Sequence, residues 1–312
     1  MRRPPFVLVV PMLLAPVSAL LSCGLHAAFL EPEDAGPDFR RQGEYASQAA
    51  GTAVQVIALS DGVFRAVHLE GGLPGAGWDG RSRIESDGRV VGTIVRFEDG
   101  SVIESGAFRI GKHGPSLPRV ERVSPTMGAA PPEGAIVLFE GSRERVEGEV
   151  DARGLFAAGA RSRDAFQSAR IHVEFRTPFM PTARGQARGN SGIYIQSRYE
   201  VQVLDSFGLS SEWNECGALY RERKPRVNMA FPPLAWQTYD IDFVAARFDG
   251  AGNKLSPARI TVLHNGVPIH ENVAIPGSTG RGDPEGPEPG RLRLQDHGDP
   301  VFFRNVWVLP SR

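Results

Sequence analysis

The sequence predicts an all-β protein, in which a small β-rich domain precedes a larger two-sheet sandwich. Short segments alternate between apolar and polar residues with the period of two that is typical of strands. Long stretches with the 3.6-residue apolar period of amphipathic helices are missing from the sequence. Glycine and proline are abundant, with 36 and 25 of the 312 residues, which favours a chain with many turns.

Composition limits the classes of function. Hydrophobic residues make up 41% of the chain, which is enough to form a substantial core. The formal net charge is −1, so charge gives no indication of a nucleic-acid or acidic-surface partner.

Residues 1–28 are predicted to be a secretory signal peptide. Two arginines precede an apolar run, and small residues follow it. Pro11 and Pro16 interrupt this run, which is also short for a membrane span. The segment around Cys23 resembles a bacterial lipoprotein cleavage box, and ordinary cleavage near residues 24 to 28 is the alternative. We therefore expect an exported protein, periplasmic or extracellular, whose contact with a membrane would be a lipid anchor at Cys23.

Changes in composition divide the rest of the chain. Residues 29–50 are polar and irregular and are predicted to be a linker. Residues 51–123 contain short β patterns separated by Asp-Gly turns, which predicts a small β meander domain. This domain shows no titratable cluster, so we expect it to have a structural or positioning role. Residues 124–134 are rich in proline, glycine and alanine and are predicted to be a second linker.

Residues 135–312 are predicted to be the larger domain. About ten strands follow one another at short intervals with no helices between them. Asn265 and Gly266 separate two of these strands, which is a signal for a type I′ hairpin. Such a run of antiparallel strands predicts a two-sheet sandwich or jelly roll.

Polar side chains recur on one face of several predicted strands. Over residues 191–204 isoleucine and valine alternate with a polar row, which consists of Tyr194, Gln196, Glu200 and Gln202. Two other strands repeat the pattern, with outward His172, Glu174 and Arg176 in one and Arg293, Gln295 and His297 in the other. Amides, carboxylates and guanidinium groups make paired hydrogen bonds that suit sugar hydroxyls. A solvated sheet face is the alternative for each single row.

A conventional two-carboxylate glycosidase is disfavoured by the spacing of the acidic residues. Glu200 and Asp205 lie five residues apart, which places them on opposite faces of a regular strand, and the residue between them on the polar face is Gln202. The sequence also lacks an H-E-x-x-H motif and paired Cys/His metal spacings. Cys216 is expected to be a small buried residue rather than a nucleophile.

Five blocks of sequence carry a resemblance to a known family. They are RGNSGIYIQSRYEVQVLDSFG, NECGALY, WQTYDIDF, ITVLHNG and RLQDHGDPVFFRNVWV. In this order they resemble the bacterial 3-keto-disaccharide hydrolase family, also described as 3-keto-glucoside 1,2-lyase / 3-keto-2-hydroxy-glucal hydratase domains. The resemblance covers about residues 135 to 310 and implies a concanavalin-like jelly roll.

The resemblance implies cleavage of 3-keto-glucosides by loss of the C2 proton and β-elimination at C1. Rehydration of the product would make the net reaction a hydrolysis. The catalytic base would be His297 or Glu200, since one base, donors for the enolate and an acid are needed. The expected substrate-binding residues are Tyr194, Gln196, Gln202, Arg293, Gln295, Asn190 and Glu174. No cofactor is predicted, although the family is compatible with a divalent metal.

Two other functions remain open from the sequence. A jelly roll can equally be a non-catalytic carbohydrate-binding module, and fold alone does not decide between module and enzyme. A perturbed pKa at His297 or Glu200 within a pocket would favour the enzyme. A cell-surface scaffold, attached through the N-terminal meander, is the third and weakest hypothesis.

Overall fold

The computed structural model describes residues 22–23, 26–138, 144–151 and 153–311. Most of the predicted signal peptide, residues 1–28, therefore lies outside the described residues, as does the side chain of Cys23. Within the described part of the chain, no helix has the length and apolar character needed to cross a membrane.

Strands dominate the structure. The helical elements are α1 (Gly36–Arg41) and two short 3-10 turns at Gln48–Ala50 and Gly185–Ala187. The first strands are β1 (Ser22–Cys23), β2 (His26–Ala27), β3 (Gly43–Ser47), β4 (Thr52–Ala58), β5 (Val63–Glu70), β6 (Arg83–Val91), β7 (Ile94–Phe97), β8 (Val102–Glu104), β9 (Ala107–Arg109) and β10 (Ser116–Val120). The next are β11 (Ile136–Val137), β12 (Val146–Glu147), β13 (Phe156–Ala157), β14 (Arg161–Phe166), β15 (Ala169–Arg176), β16 (Ser191–Ile195) and β17 (Tyr199–Val203). The last are β18 (Gln237–Val244), β19 (Arg247–Phe248), β20 (Lys254–Ser256), β21 (Ala258–His264), β22 (Val267–Ile275), β23 (Gly290–Leu294) and β24 (Phe302–Pro310).

The small N-terminal domain is a closed barrel of eight strands, in the order β10-β3-β4-β5-β6-β7-β8-β9. Its interior is filled by apolar side chains, among them Phe64, Phe97 and Phe108. Strand β3 pairs with both β4 and β10 and so closes the sheet, which leaves no exposed sheet edge. The domain therefore begins earlier than the sequence pattern indicated, because α1 and β3 lie within residues 29–50, the segment predicted to be a linker.

The larger domain is a sandwich of two antiparallel sheets. One sheet has seven strands, in the order β11-β24-β15-β18-β21-β22 with β13 paired to β24, and the other has five, in the order β12-β14-β23-β16-β17. One apolar core fills the space between them and includes Ile171, Val173 and Phe175 from β15 and Ile193 and Val201 from β16 and β17. The predicted all-β sandwich with a preceding β-rich domain is confirmed.

Two tight turns use left-handed backbone conformations. Asn265 and Gly266 have φ angles of 50° and 77°, as expected for the predicted type I′ turn. Between β16 and β17 the central turn residues are Gln196 and Ser197, with φ angles of 54° and 58°. Gln196, which was expected in the polar row of the strand, therefore belongs to the turn.

The barrel packs against the sandwich beside the end of β17. Ile57 and Val67, on the outside of the barrel, share an apolar cluster with Phe207 of the larger domain. Arg83 Nη1 donates a hydrogen bond of 2.8 Å to the carbonyl of Gly208. These contacts fix the segment that follows β17, and therefore support one end of the strand.

The segment between the two domains is fastened to the outer face of the seven-stranded sheet. The Glu174 carboxylate accepts hydrogen bonds from the Gly128 backbone N–H at 2.6 Å, Asn305 Nδ2 at 2.9 Å and Arg304 Nε at 2.7 Å. Thr126 Oγ1 donates to an Asp240 carboxylate oxygen at 2.6 Å. Residues 124–130, which we call the strap, thus cover the polar row of β15.

His172 lies buried beneath the strap between two carboxylates. Its Nδ1 is 2.7 Å from Asp240 Oδ1, and its ring stacks on Trp307 with a centroid distance of 5.3 Å. Burial lowers the pKa of His172, but Asp240 and Glu174 outweigh this effect and raise the pKa above its usual value. Burial raises the pKa of Glu174. The His172 ring, whose Nε2 lies 3.7 Å from Glu174 Oε1, and the three hydrogen bonds described above more than offset this and bring the pKa to about 2.

Replacement of Glu174 tests the strap. Because the pKa of Glu174 is depressed to about 2 in the folded protein, its stabilising effect is present above about pH 4.5 and is lost as the pH falls toward 2. We expect Glu174→Gln to lower the free energy of unfolding at pH 7 by on the order of 3 kcal/mol. The difference in unfolding free energy between the variant and the wild type should be smaller at pH 3. Urea denaturation at both pH values measures it.

Glu104→Gln, on an exposed strand residue of the barrel, is the matched control and should change stability little. A Glu174→Gln variant as stable as the wild type at pH 7, or equally weakened at both pH values, would contradict this account.

Candidate active site

A cleft of about 440 Å³ opens on the outer face of the five-stranded sheet. Its floor is formed by β16 and β17, and its walls come from three loops. The lining consists of Gln186, Asn190, Tyr194, Glu200, Gln202, Tyr220, Arg221, Glu222, Ser278, Thr279, Gly280, Arg281, Gln295 and His297.

Strand pairing brings the polar row together. Tyr194 lies directly opposite Glu200 in the β16–β17 pair, and Gly192 lies opposite Gln202. On the other side of β16, Arg293 of β23 is the partner of Tyr194. Because side chains alternate along each strand, the neighbouring isoleucine and valine residues enter the core and the polar groups face the cleft.

Glu200 is the central titratable group of the cleft. The residue is 3% exposed, and its carboxylate accepts a 2.7 Å hydrogen bond from the Tyr194 hydroxyl. Its backbone N–H donates to Thr279 Oγ1 at 2.7 Å. Burial raises the pKa of Glu200 to about 7, although the Tyr194 hydrogen bond and the Arg293 charge act in the opposite direction. Glu200 can therefore accept or release a proton near neutral pH.

Tyr194 is held as a neutral hydroxyl. Burial, followed by the charge of Glu200, raises its pKa well above the usual value. The hydroxyl oxygen accepts hydrogen bonds from the Arg281 backbone N–H at 3.2 Å and from Gln295 Nε2 at 3.4 Å. The Arg293 guanidinium lies 4.0 Å from the centre of the ring. Tyr194 is thus a fixed hydrogen-bond donor at the floor of the cleft.

Three side-chain amides continue the floor beyond Glu200. In one orientation the Gln202 amide donates to Gln186 Oε1 at 3.1 Å and Asn190 Oδ1 at 3.2 Å. In the other orientation it donates to Glu200 Oε1 at 3.1 Å. Asn190 is held through its backbone N–H, which donates to Asp299 at 2.7 Å. The amides can supply either donors or acceptors to a ligand.

One wall of the cleft packs tightly on the carboxylate. The Thr279 backbone N–H donates to the Arg198 carbonyl at 2.9 Å, which ties this loop to the turn between β16 and β17. A Cβ atom added at Gly280 would lie 1.9 Å from Glu200 Oε2, and one added at Gly192 would lie 2.5 Å from Glu200 Oε1. Two glycines therefore leave the space that the carboxylate occupies.

Six of the residues predicted from the sequence line the cleft: Tyr194, Glu200, Gln202, Gln295, Asn190 and His297. His297 lies at the exposed rim, after the end of β23, whereas Glu200 lies in the interior. Arg293 lies behind the Tyr194 ring, and its Nη2 donates to the Arg281 carbonyl at 3.0 Å. It can act on the site through its charge and by positioning the tyrosine.

Besides Arg293, two more of the expected substrate-binding residues are not part of the cleft lining. Glu174 is on the seven-stranded sheet, where its carboxylate binds the strap. Gln196 has the turn conformation described above, so its side chain leaves the polar row, and its Nε2 donates to the Phe166 carbonyl at 2.9 Å. Alternation along a strand does not reveal which sheet a strand joins, or where a strand gives way to a turn.

The sequence patterns did not identify the loop walls. Thr279, Gly280 and Arg281 come from a segment rich in glycine and proline that has no strand period. Tyr220 and Arg221 come from a segment, residues 216–221, that belongs to none of the strands given above. The structure forms only isolated bridges there, such as that between Val201 and Leu219.

Within the described residues, no group of three or more His, Cys, Asp or Glu side chains is arranged to hold a metal ion.

Comparison with known families identifies the larger domain. Residues 133–309 match the model of the 3-keto-alpha-glucoside-1,2-lyase-like domain, and the chain belongs to this family. The resemblance drawn from the five sequence blocks is thus confirmed, and the family places the protein in the carbohydrate-processing class.

One solved structure shows the same relationship. The chain is 31% identical to a presumed glycosyl hydrolase from Parabacteroides distasonis ATCC 8503, with a TM-score of 0.51, over 57% of this chain and 84% of that one. A second such protein from this organism is 20% identical, with a TM-score of 0.41, over 57% of this chain and 99% of that one. A comparison with functionally curated proteins gives no match.

The two glycines around Glu200 provide a test of the site geometry. We expect Gly280→Ala to push the loop away from Glu200, since the new Cβ would overlap the carboxylate and φ is +58° at this position. The free energy of unfolding should fall by at least about 1–2 kcal/mol. Thermal and urea denaturation measure this effect.

Gly277→Ala is the matched control in the same loop, because a Cβ there would meet nothing within 4 Å. Equal stability of the two variants would argue against the close packing of the loop on Glu200.

Proposed function

We propose that the protein cleaves 3-keto-glucosides by removing the C2 proton and eliminating the C1 substituent. The observation that carries this proposal is a buried carboxylate, Glu200, whose pKa is raised to about 7 at the floor of a polar cleft. Membership of the 3-keto-alpha-glucoside-1,2-lyase-like family supports the choice of substrate.

Glu200 is the better candidate for the base. A ketone at C3 acidifies the proton on C2, and a base with a pKa near the working pH removes such a proton most effectively. Glu200 satisfies this condition because its burial raises its pKa to about 7. His297 lies at the exposed rim, where it can contact a bound sugar but is open to solvent.

Donors for the enolate surround the carboxylate. As the C2–H bond breaks, negative charge develops on the C3 oxygen, and the side-chain amides of Gln295 and Gln202, which line the cleft, would donate to it. The electron pair then forms the C1=C2 double bond while the C1–O bond breaks. The leaving oxygen takes a proton from the Tyr194 hydroxyl.

The Tyr194–Glu200 hydrogen bond closes the proton cycle. Glu200 holds the proton taken from C2, and the 2.7 Å hydrogen bond offers it a direct path to the Tyr194 oxygen. The product is a 3-keto-2-hydroxy-glucal. Addition of water across its C1=C2 bond gives the 3-keto sugar, so the net reaction is a hydrolysis.

The arrangement of acids favours elimination over hydrolysis by two carboxylates. Asp205, the nearest acid after Glu200 in sequence, is absent from the cleft lining, and its Oδ2 accepts a 2.7 Å hydrogen bond from Arg188 Nε. The second carboxylate of the lining is Glu222, which is exposed. A nucleophile and a separate acid are needed in the usual glycosidase, and this cleft supplies one buried carboxylate with a tyrosine.

Turnover of a substrate panel tests the proposal. We expect the protein to release the C1 group from 3-keto-glucosides and to leave the parent glucosides intact. Glu200→Gln should lower kcat/KM by about 10²–10⁴, the range for loss of a general base, whereas His297→Ala should retain most activity. The appearance of the 2-hydroxy-glucal and of the free C1 group would be followed by NMR.

Glu98→Gln, on the surface of the barrel, is the control for the loss of a carboxylate. Cleavage of parent glucosides at the same rate would overturn the elimination mechanism. Saturable sugar binding without any turnover would instead place the protein among carbohydrate-binding modules.

The pH dependence of stability gives an independent check on Glu200. Because its pKa is raised in the fold, the protonated form is favoured, and stability is lost as the pH rises from about 4.5 through about 7. We expect Glu200→Gln to be more stable than the wild type at pH 8, by on the order of 2–3 kcal/mol, and to show little gain at pH 4. Urea denaturation at both pH values measures the difference, and a gain of the same size at pH 4 would contradict the raised pKa.

A further inference from the structure

The cleft is larger than one sugar ring requires, and its two sides differ. A volume of about 440 Å³ lies within the range of about 300–1,000 Å³ that holds drug-sized ligands. The proposed reaction uses Tyr194 and Glu200 at the buried floor. Tyr220 and Arg221 form part of a wall that is half-buried to exposed. This wall leaves room for a substituent on C1 that points out of the buried floor.

An exposed tryptophan, Trp213, packs against this wall, although it is not among the residues that line the cleft. Trp213 is 46% exposed and is the one aromatic among the large hydrophobic residues that are exposed in the described part of the chain. Its ring centroid lies 6.5 Å from that of Tyr220, at an interplanar angle of 64°. The Arg221 guanidinium lies 5.6 Å from the Trp213 ring centre and 5.5 Å from that of Tyr220. Three planar groups therefore meet beside the cleft.

Backbone contacts hold these groups in place. The Arg221 N–H donates to the Trp213 carbonyl at 3.0 Å, and the Tyr220 N–H donates to the Glu200 carbonyl at 3.3 Å. Leu219 and Arg223 exchange backbone hydrogen bonds of 3.0 Å, which closes the turn between them. Arg221 has a φ of 65°, a strained conformation for a long side chain and one that recurs at ligand-binding positions. A wall fixed before binding loses little freedom when a ligand arrives.

We propose that Trp213, Tyr220 and Arg221 form a subsite for a planar aromatic substituent at C1. The inference rests on the proposed function for the sugar end of the cleft and names the leaving group as a phenol or related aromatic alcohol. An aromatic ring can pack edge-to-face or offset against Trp213 and Tyr220. It can also stack on the planar guanidinium of Arg221, which a saturated ring does less well.

Glucosides that lack the 3-keto group can test this subsite, because they can bind to the cleft without undergoing the proposed reaction. The dissociation constants of phenyl and cyclohexyl glucoside, in both anomers, would be measured by calorimetry on the wild-type protein and on Trp213→Ala. We expect phenyl glucoside to bind the wild type about five- to tenfold more tightly than cyclohexyl glucoside. The ratio of the cyclohexyl to the phenyl dissociation constant should approach one in Trp213→Ala. It should also fall in Arg221→Lys, which keeps the charge and loses the planar group.

Leu255→Ala is the matched control, since Leu255 is a 61% exposed hydrophobic residue that does not line the cleft, and it should keep the wild-type ratio. A ratio near one in the wild type, or an unchanged ratio in Trp213→Ala, would overturn the aromatic subsite. Tighter binding of a glucose disaccharide than of phenyl glucoside, lost in Trp213→Ala, would overturn it in favour of a second sugar. Absence of keto-sugar turnover with the aryl preference intact would defeat the proposed reaction and leave the subsite standing.

Discussion

The geometry of the cleft depends on one interaction, the hydrogen bond between Tyr194 and the buried carboxylate of Glu200. Burial of a carboxyl group disfavours its charged form, and at the floor of this polar cleft it raises the pKa of Glu200. The same pair of residues is fixed by strand pairing, by the neighbouring guanidinium and by the loop on top. A proton-accepting group is thereby held in one position at a pKa useful near neutrality.

The rest of the molecule supports this pair from two directions. The barrel packs on the segment that leaves β17, so the strand carrying Glu200 is held at its end as well as along its length. The strap covers part of the outer face of the opposite sheet and buries His172 and Glu174 there. The chain itself therefore covers these polar groups, whereas the polar row of the five-stranded sheet is open to a ligand.

The sequence predicted those features that depend on local periodicity. The alternation of apolar and polar residues predicted the positions of the strands and the isoleucine and valine residues that point inward. It also predicted that Tyr194, Glu200 and Gln202 lie on one face. Glu174 also alternates with inward apolar residues, but alternation does not show to which of the two sheets its strand belongs. The sequence did not predict that Gly280 lies against Glu200, because this position depends on contacts between residues far apart in the chain.

The two glycines that face Glu200 also affect how other sequences of this family can be read. A side chain at the position of Gly280 or Gly192 would occupy the volume of the carboxylate, so a buried glutamate in this place and a larger residue at either position are incompatible without rearrangement. The three positions therefore form a linked sequence signature. A relative that retains the glutamate but carries bulk at either glycine must hold its acid elsewhere, and its chemistry cannot be inferred from this cleft.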